Sequence, residues 1–374
     1  MLNFITWNAN PKLFSVTIPF YWYYLLIAAG LLFVGWKIFE FINTKKEKEN
    51  EKKIKKEKKA DKNAVFYIIG ILIVAAIFIK VKFPDLSSIG PLTVVWYGVL
   101  YAIGFLVGIT TIERIFKHEK APEKWIEKVF IYIILAEIVG ARLGHCFFYQ
   151  WDHYSQNLWE IPQIWKGGLA SHGGAIGMLI AILLMSKYIT KQNWLWLGDR
   201  IFVGAAFGAS IIRFGNLMNS EIYGHPTNMP WGFVFVRGQE KFIYGTSGWE
   251  WCNPTGVYDE FGNHLLACHP GQLYEGIVYM LLFAFLLWLY WKRDAGKYNG
   301  LLAGIGSTWV FTARLFIELL KNPQVDFEEN MLSSIGMNMG QMLSIPFIIL
   351  GVYLIVRALK KGKVEYILPK EKKI

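Results

Sequence analysis

Residues 271–291 read GQLYEGIVYMLLFAFLLWLYW, a run whose one charged residue is Glu275. About 20 apolar residues in helical form cross about 30 Å of hydrocarbon. Comparable runs recur at 18–42, 65–82, 93–113, 126–149, 169–189, 195–219, 299–320 and 338–357, so about nine spans are expected. Composition agrees with a bilayer as solvent. The 374 residues are 54% hydrophobic and 17% aromatic, with a mean hydropathy of +0.32, which exceeds what a soluble core of this size needs. The expected fold is an all-α polytopic membrane protein.

Short cytoplasmic loops hold an excess of lysine and arginine. With the N-terminus outside, the inside segments carry 26 of the 39 Lys and Arg residues and the outside segments seven. The N-terminus is therefore expected outside and the C-terminus in the cytoplasm. The net charge of +11 reads as this topology signal together with attraction for anionic membrane lipids, and no nucleic-acid partner is expected. The first apolar run is long and follows a single basic residue, Lys12, so it is read as a retained anchor rather than a cleaved signal peptide.

Three parts are expected: an N-terminal two-span hairpin at 1–82 with a lysine-rich cytoplasmic loop, a seven-span body at 83–357, and a basic cytoplasmic tail at 358–374. Within the body, the polar stretch 221–270 is long enough to fold as a small extracytoplasmic cap, and the alternation in Met229–Phe235 predicts a strand. Cys252 and Cys268 share that stretch, where a disulfide is permitted in an oxidising space. The start of the chain is echoed further on. Pro11, Leu13, Ser15 and Val16 align with Pro84, Leu86, Ser88 and Ile89, and Trp22, Tyr23 and Gly30 align with Trp96, Tyr97 and Gly104 after a one-residue shift. This reads equally as a duplicated first span or as two independent aromatic interfacial segments.

Charges within a bilayer cost about 2.5–3.5 kcal/mol each at a helix centre, so each calls for a reason. Several cluster near the outer ends of spans. The segment GGLASHGGAIG, 167–177, opens a span with glycines around one titratable side chain, His172. Gly173 and Gly174 let a backbone approach a ligand or a neighbouring helix closely, and their N–H groups suit a phosphate. A histidine titrates near neutral pH and can take a proton from a thiol. The bland alternative is a glycine-rich packing surface.

The segment RFGNLMNSE, 213–221, closes another span. On a helix Arg213, Asn216 and Ser220 share a face, with Asn219 between them and Glu221 close by. An arginine fork binds phosphate oxygens and amides complete the shell; the alternative is a structural Arg213–Glu221 pair. Arg314 and Glu318 are spaced i and i+4 for an intrahelical pair, with Lys321 at the membrane edge. Arg142, in GARLG, divides evenly between a binding and a structural role. Asp199-Arg200 reads as a neutralised pair at the inner end. Tyr97 and Tyr274 stand at outer span ends, singly as belt residues but together with the other groups as parts of one polar site.

These segments, WYG at 96–98, GARLG at 140–144, GGLASHGGAIG, RFGNLMNSEIYG at 213–224, HPGQLYE at 269–275 and RLFIE at 314–318, follow the order found in bacterial phosphatidylglycerol–prolipoprotein diacylglyceryl transferases, which the chain resembles over about 83–357. The resemblance implies transfer of the sn-1,2-diacylglyceryl group from phosphatidylglycerol to the lipobox cysteine of a prolipoprotein signal peptide, forming a thioether and releasing glycerol phosphate. It further implies a place in the bacterial inner membrane. His172, Arg213, Arg314 and Tyr97 are similar to the family's essential residues. Asn216, Asn219, Glu221, Gly173, Gly174, Arg142, Tyr274 and Glu318 are the expected substrate-binding set. His225, Cys268 and Gly271 depart from residues frequent in the family.

No cofactor and no metal is expected. A metal-dependent phosphatidyltransferase needs several aspartates at fixed spacing, and the sequence has no such set. The remaining alternative is a transporter or channel for an anionic or lipid substrate.

Overall fold

The computed structural model describes residues 4–19, 88–238, 241–246, 248–321, 337–366 and 368. Seven long helices dominate: α1 (Trp96–His118), α2 (Glu123–Phe148), α3 (Ser171–Met185), α4 (Trp194–Met218), α5 (Gly271–Arg293), α6 (Leu301–Ile317) and α7 (Met339–Lys361). All seven, with α3 and α6 extended by their final turns, are long and apolar enough to cross a membrane. They match the seven expected spans of the body. The expected spans 18–42 and 65–82 and the lysine-rich loop between them lie outside the described residues, apart from residues 18 and 19.

Contacts divide the chain into two units, Met1–Pro11 with Trp96–Ile374, and Lys12–Val95. In the second, β2 (Lys12–Pro19) and β3 (Ser88–Val95) form an antiparallel ribbon, Lys12 opposite Val95 and Pro19 opposite Ser88. Of the echoed residues, Leu13, Ser15 and Val16 lie on β2 and Ser88 and Ile89 on β3, while Trp96, Tyr97 and Gly104 lie in α1. In the first, β1 (Ile5–Trp7) lies parallel to β4 (Phe233–Phe235). Residues 5–7 therefore belong to the same unit as the seven helices, although the sequence groups them with the hairpin. Three residues are too few for alternation to be seen, and the pairing spans more than 220 positions.

Helix α4 is central, packing along α1, α5 and α6, while α2 packs on α3 and α6 on α7. Small residues make these approaches possible. A Cβ on Gly144 would lie 2.6 Å from the Gly173 Cα, and one on Gly173 would strike the Gly140 carbonyl, so α2 and α3 touch backbone to backbone. In lipid, where apolar burial supplies little drive between helices, such close contact is what holds helices together.

Asn193 begins α4 by accepting the Leu195 N–H, and Asn338 begins α7 in a capping box with Gln341. Between α4 and α5 lies the cap, whose core gathers Tyr223, Phe233, Phe235 and Cys268 with Trp7 packed against them. Its only regular strand among the described residues is β4, inside the predicted Met229–Phe235. Cys146, Cys252 and Cys268 are all buried, and none of them is in a disulfide.

At the end of the bundle away from the cap, Arg200 is closed in by protein: Glu119 pairs with it at 2.6 Å, and it donates to the Trp196 and Gly296 carbonyls. Asp199, 4.0 Å from Arg200, instead caps α6 by accepting the Gly300 and Ala303 N–H groups. The bland reading of this pair holds, with Glu119 as the principal carboxylate.

Candidate functional site

The cap ends of α4, α5 and α6 are laced together by backbone. Gly224, just after α4, donates to the His269 carbonyl before α5, and His225 donates to the Leu320 carbonyl at the end of α6. Lower down, Ser210 donates to the Gly276 carbonyl at 2.7 Å. A Cβ on Gly276 would sit 3.3 Å from the Phe214 ring and 3.5 Å from the Arg213 Cβ. A glycine beside Glu275 thus lets α5 lie close against the turn of α4 that carries Arg213.

The result is a row of alternating charges. Arg213 Nε is 2.6 Å from Glu275 Oε2; Lys321 Nζ is 2.7 Å from Glu275 Oε1 and 3.3 Å from Glu318 Oε2; Glu318 Oε2 is 3.8 Å from Arg314 Nε. Glu275 is completely buried and Lys321 nearly so. Both arginines keep part of their side chains exposed, 21% for Arg213 and 38% for Arg314. Glu275 is thus flanked by a cation at each of its two oxygens.

On the other side of Arg213, its Nη1 reaches Asn216 Oδ1 at 3.5 Å, while Asn216 and Asn219 both donate to Glu221 Oε1, at 2.7 and 3.2 Å. Arg213 and Asn216 lie on α4 as expected, but the helix ends at Met218, so Ser220, with a φ of 54°, does not continue the expected stripe. The carboxylate that pairs with Arg213, however, is Glu275 and not Glu221. The sequence hides this because the partner lies 62 positions away in a segment read for its tyrosine; the only signal is a lone acid in an otherwise apolar span. Gln272, one turn earlier on the same face of α5, is fully buried with its amide unpaired. Tyr97 lays its ring against Gly215, within electrostatic reach of Arg213, Glu221 and Glu137.

His172 stands at the cap end of α3, exposed, its Nε2 3.1 Å from the Tyr149 hydroxyl, with Phe148 edge-on to its ring. In the tautomer that carries its proton on Nε2 and donates to Tyr149, Nδ1 is the basic nitrogen. Gly173 and Gly174 are buried in the α2–α3 seam, so what they are seen to do is pack.

Two expected residues are engaged elsewhere. Arg142, 2% exposed, donates to the carbonyls of Glu160, Ile161, Gly167 and Gly168, and its guanidinium lies 5.0 Å from the Tyr154 ring centre. It holds the loop between α2 and α3 in place. The Tyr274 hydroxyl accepts from Trp231 Nε1 at 2.9 Å and lies 3.2 Å from His269 Nδ1, facing the cap. Burial, with His225 adding repulsion, holds His269 below the ordinary histidine range. Among the described residues no group of three or more His, Cys, Asp and Glu is arranged to hold a metal ion.

The chain is similar to known proteins over most of its length. The family model described as prolipoprotein diacylglyceryl transferase matches residues 84–357. A protein of Porphyromonas gingivalis named phosphatidylglycerol–prolipoprotein diacylglyceryl transferase is 44% identical over 269 residues, 71% of this chain and 89% of its own length. Proteins of the same name from Chloroherpeton thalassium and Tolumonas auensis are 44% and 38% identical, covering 75% and 74% of this chain and 94% and 96% of their own lengths.

Proposed function

Since the chain belongs to the prolipoprotein diacylglyceryl transferase family, we propose that its cap-end arginines hold the phosphate of the lipid donor while His172 activates the acceptor thiol. The protein is a multi-pass membrane transferase that moves the diacylglyceryl group from phosphatidylglycerol to prolipoprotein. That membership does not favour the transporter reading.

The observation that carries the site assignment is a contrast among four arginines. Arg142 and Arg200, 2% and 1% exposed, are enclosed by protein oxygens. Arg213 and Arg314 each face a carboxylate on one side and keep 21% and 38% of the side chain open on the other. An open guanidinium edge presents paired donors to a phosphate.

In the proposed reaction the lipobox cysteine loses its proton to His172, and its sulfur attacks the terminal glyceryl carbon of phosphatidylglycerol. The carbon–oxygen bond to the phosphate breaks as the carbon–sulfur bond forms. Glycerol phosphate departs with the bonding electrons, and Arg213 and Arg314 stabilise its growing charge. Asn216, Asn219 and Glu221 complete the polar wall, with Tyr97 beside it. Glu318 orients Arg314. Arg142 and Tyr274 act at a distance by fixing the outer loop and the cap, and Gly173 and Gly174 by seating His172 on α2.

The lysine and arginine distribution supports an orientation with the cap outside a bacterial inner membrane. The test is a lipobox peptide added outside right-side-out vesicles that contain the protein and phosphatidylglycerol. Its mass should rise by one diacylglyceryl group, and a Cys-to-Ser peptide should stay unmodified. Modification of the serine peptide, or modification only from the inner face, would contradict the proposal.

The segment between the two ribbon strands is proposed to be separable from catalysis, because every polar group named above lies after position 96. Residues 20–87 can be replaced by Asn-Gly, a turn suited to joining paired antiparallel strands. That variant should keep measurable transfer. Deleting 1–82 would also remove Trp7, whose indole donates to the Leu217 carbonyl at 2.9 Å, and is expected to do worse. Complete loss in a well-inserted 20–87 variant would make the segment part of the working enzyme.

A further inference from the structure

We propose that Glu275 is a positioning residue: by standing against the Nε side of Arg213 it turns the Nη1/Nη2 edge of the guanidinium toward the phosphate, and through Lys321 and Glu318 it fixes Arg314 relative to Arg213. The inference rests on the reading of Arg213 as a phosphate-binding residue.

A guanidinium has two bidentate edges, one using Nε with a terminal nitrogen and one using both terminal nitrogens. Glu275 Oε2, 2.6 Å from Nε, stands beside the first as an ion-pair partner without an aligned hydrogen bond, and closes that side to another anion. Asn216 touches Nη1 only at 3.5 Å, so the second edge stays open to a ligand. Glu275 is well placed to set this geometry. It sits on a rigid helix, is completely buried, and is held on its other oxygen by Lys321 at 2.7 Å. Gly276 and Ser210 fix the approach of α5 to α4 at this level. It is a poor candidate for a proton carrier, because it has no exposed surface from which to exchange a proton.

The same chain of contacts accounts for the placement of the second arginine. Lys321 bridges Glu275 and Glu318, and Glu318 lies beside Arg314. Three cations alternate with two acids, so neither arginine can shift along the row without breaking a pair. Stability alone is a weak explanation for such a row, since a buried ion pair is often replaced by apolar side chains without loss. Its distinctive contribution is orientation, and misplacement of a catalytic contact by about 1 Å costs on the order of 100-fold in rate.

The test uses the full chain and charge-balanced double variants. In Glu275→Met with Lys321→Met, one buried anion and one buried cation leave together and nothing polar remains beside Nε. This variant should keep the thermal stability of the parent, lose about 100-fold in kcat/KM for phosphatidylglycerol, and leave KM for the lipobox peptide unchanged. In Glu275→Gln with Lys321→Met an amide oxygen remains beside Nε, and the loss should be about tenfold or less. Should the Met pair not be recovered folded, Glu275→Asn with Lys321→Met takes its place, its amide too short to reach Nε, with the same 100-fold loss expected.

Parental kcat/KM in the folded Met or Asn form would overturn the proposal, and so would equal losses in the Gln form and the Met or Asn form. Arg213→Ala assayed alongside separates the two claims. If that variant turns over normally, the phosphate reading of Arg213 fails. If it is inactive while the Met or Asn pair is normal, only the positioning role fails.

Discussion

Arg213→Ala is expected to lose essentially all phosphatidylglycerol-dependent transfer, and Arg213→Lys most of it. Both parent and lysine forms carry the charge that offsets a phosphate, so a purely electrostatic role would survive the conservative change. A forked role would not, because the ammonium is a compact point charge without two parallel donors. A hydrogen bond to a charged group contributes about 1.5–3 kcal/mol, and each 1.36 kcal/mol is a factor of ten in rate. Loss of one good bond predicts a fall of about 10- to 100-fold for lysine, and loss of both bonds with the charge about 100- to 10,000-fold or more for alanine. The alanine form should still insert and fold, since Glu275 keeps its pair with Lys321. Transfer to a lipobox peptide, measured with detergent-soluble yield, checks both expectations. A lysine form equal to the parent removes the forked contact; an alanine form that merely misfolds makes Arg213 a structural partner of Glu275.

Most of this architecture is legible in the sequence, for a physical reason. In lipid each span must be nearly uniform in polarity, so seven helices stand out as apolar runs and each exception within them marks a possible site. His172, Arg213, Asn216 and Arg314 are such exceptions. What the sequence conceals is who meets whom. The Arg213–Glu275 pair depends on the approach of two helices at Gly276 and Ser210, which no local spacing encodes. Arg142 looked as able to bind a ligand as Arg213, and only the return of the loop at Glu160–Gly168 shows that backbone carbonyls surround it. The glycines beside His172 suited a phosphate equally well until α2 was seen packed on them.

His172→Gln should reduce kcat by about 100- to 10,000-fold, the usual contribution of a positioned general base. Glutamine can keep a hydrogen bond to the Tyr149 hydroxyl, which lies 3.1 Å from Nε2 in the parent, so the local structure should survive. Its neutral amide cannot accept the thiol proton. A free thiol ionises near pH 8.5, so the residual activity of the variant should rise about tenfold per pH unit from pH 6 to 8 as substrate thiolate forms unaided. The parent should depend on pH less steeply there. Normal turnover by the variant, or a residual activity flat with pH, would remove His172 from the proton transfer.

The most direct measurement counts both products of one reaction. Purified protein, phosphatidylglycerol labelled in its headgroup glycerol, and a lipobox peptide are incubated together, and thioether-linked peptide and free glycerol phosphate are quantified over time. Displacement of the phosphate by sulfur predicts one glycerol phosphate for each modified peptide at every time point, with both acyl chains retained on the product. Release of glycerol phosphate without peptide modification, or a peptide carrying a single acyl chain in thioester linkage, would contradict it.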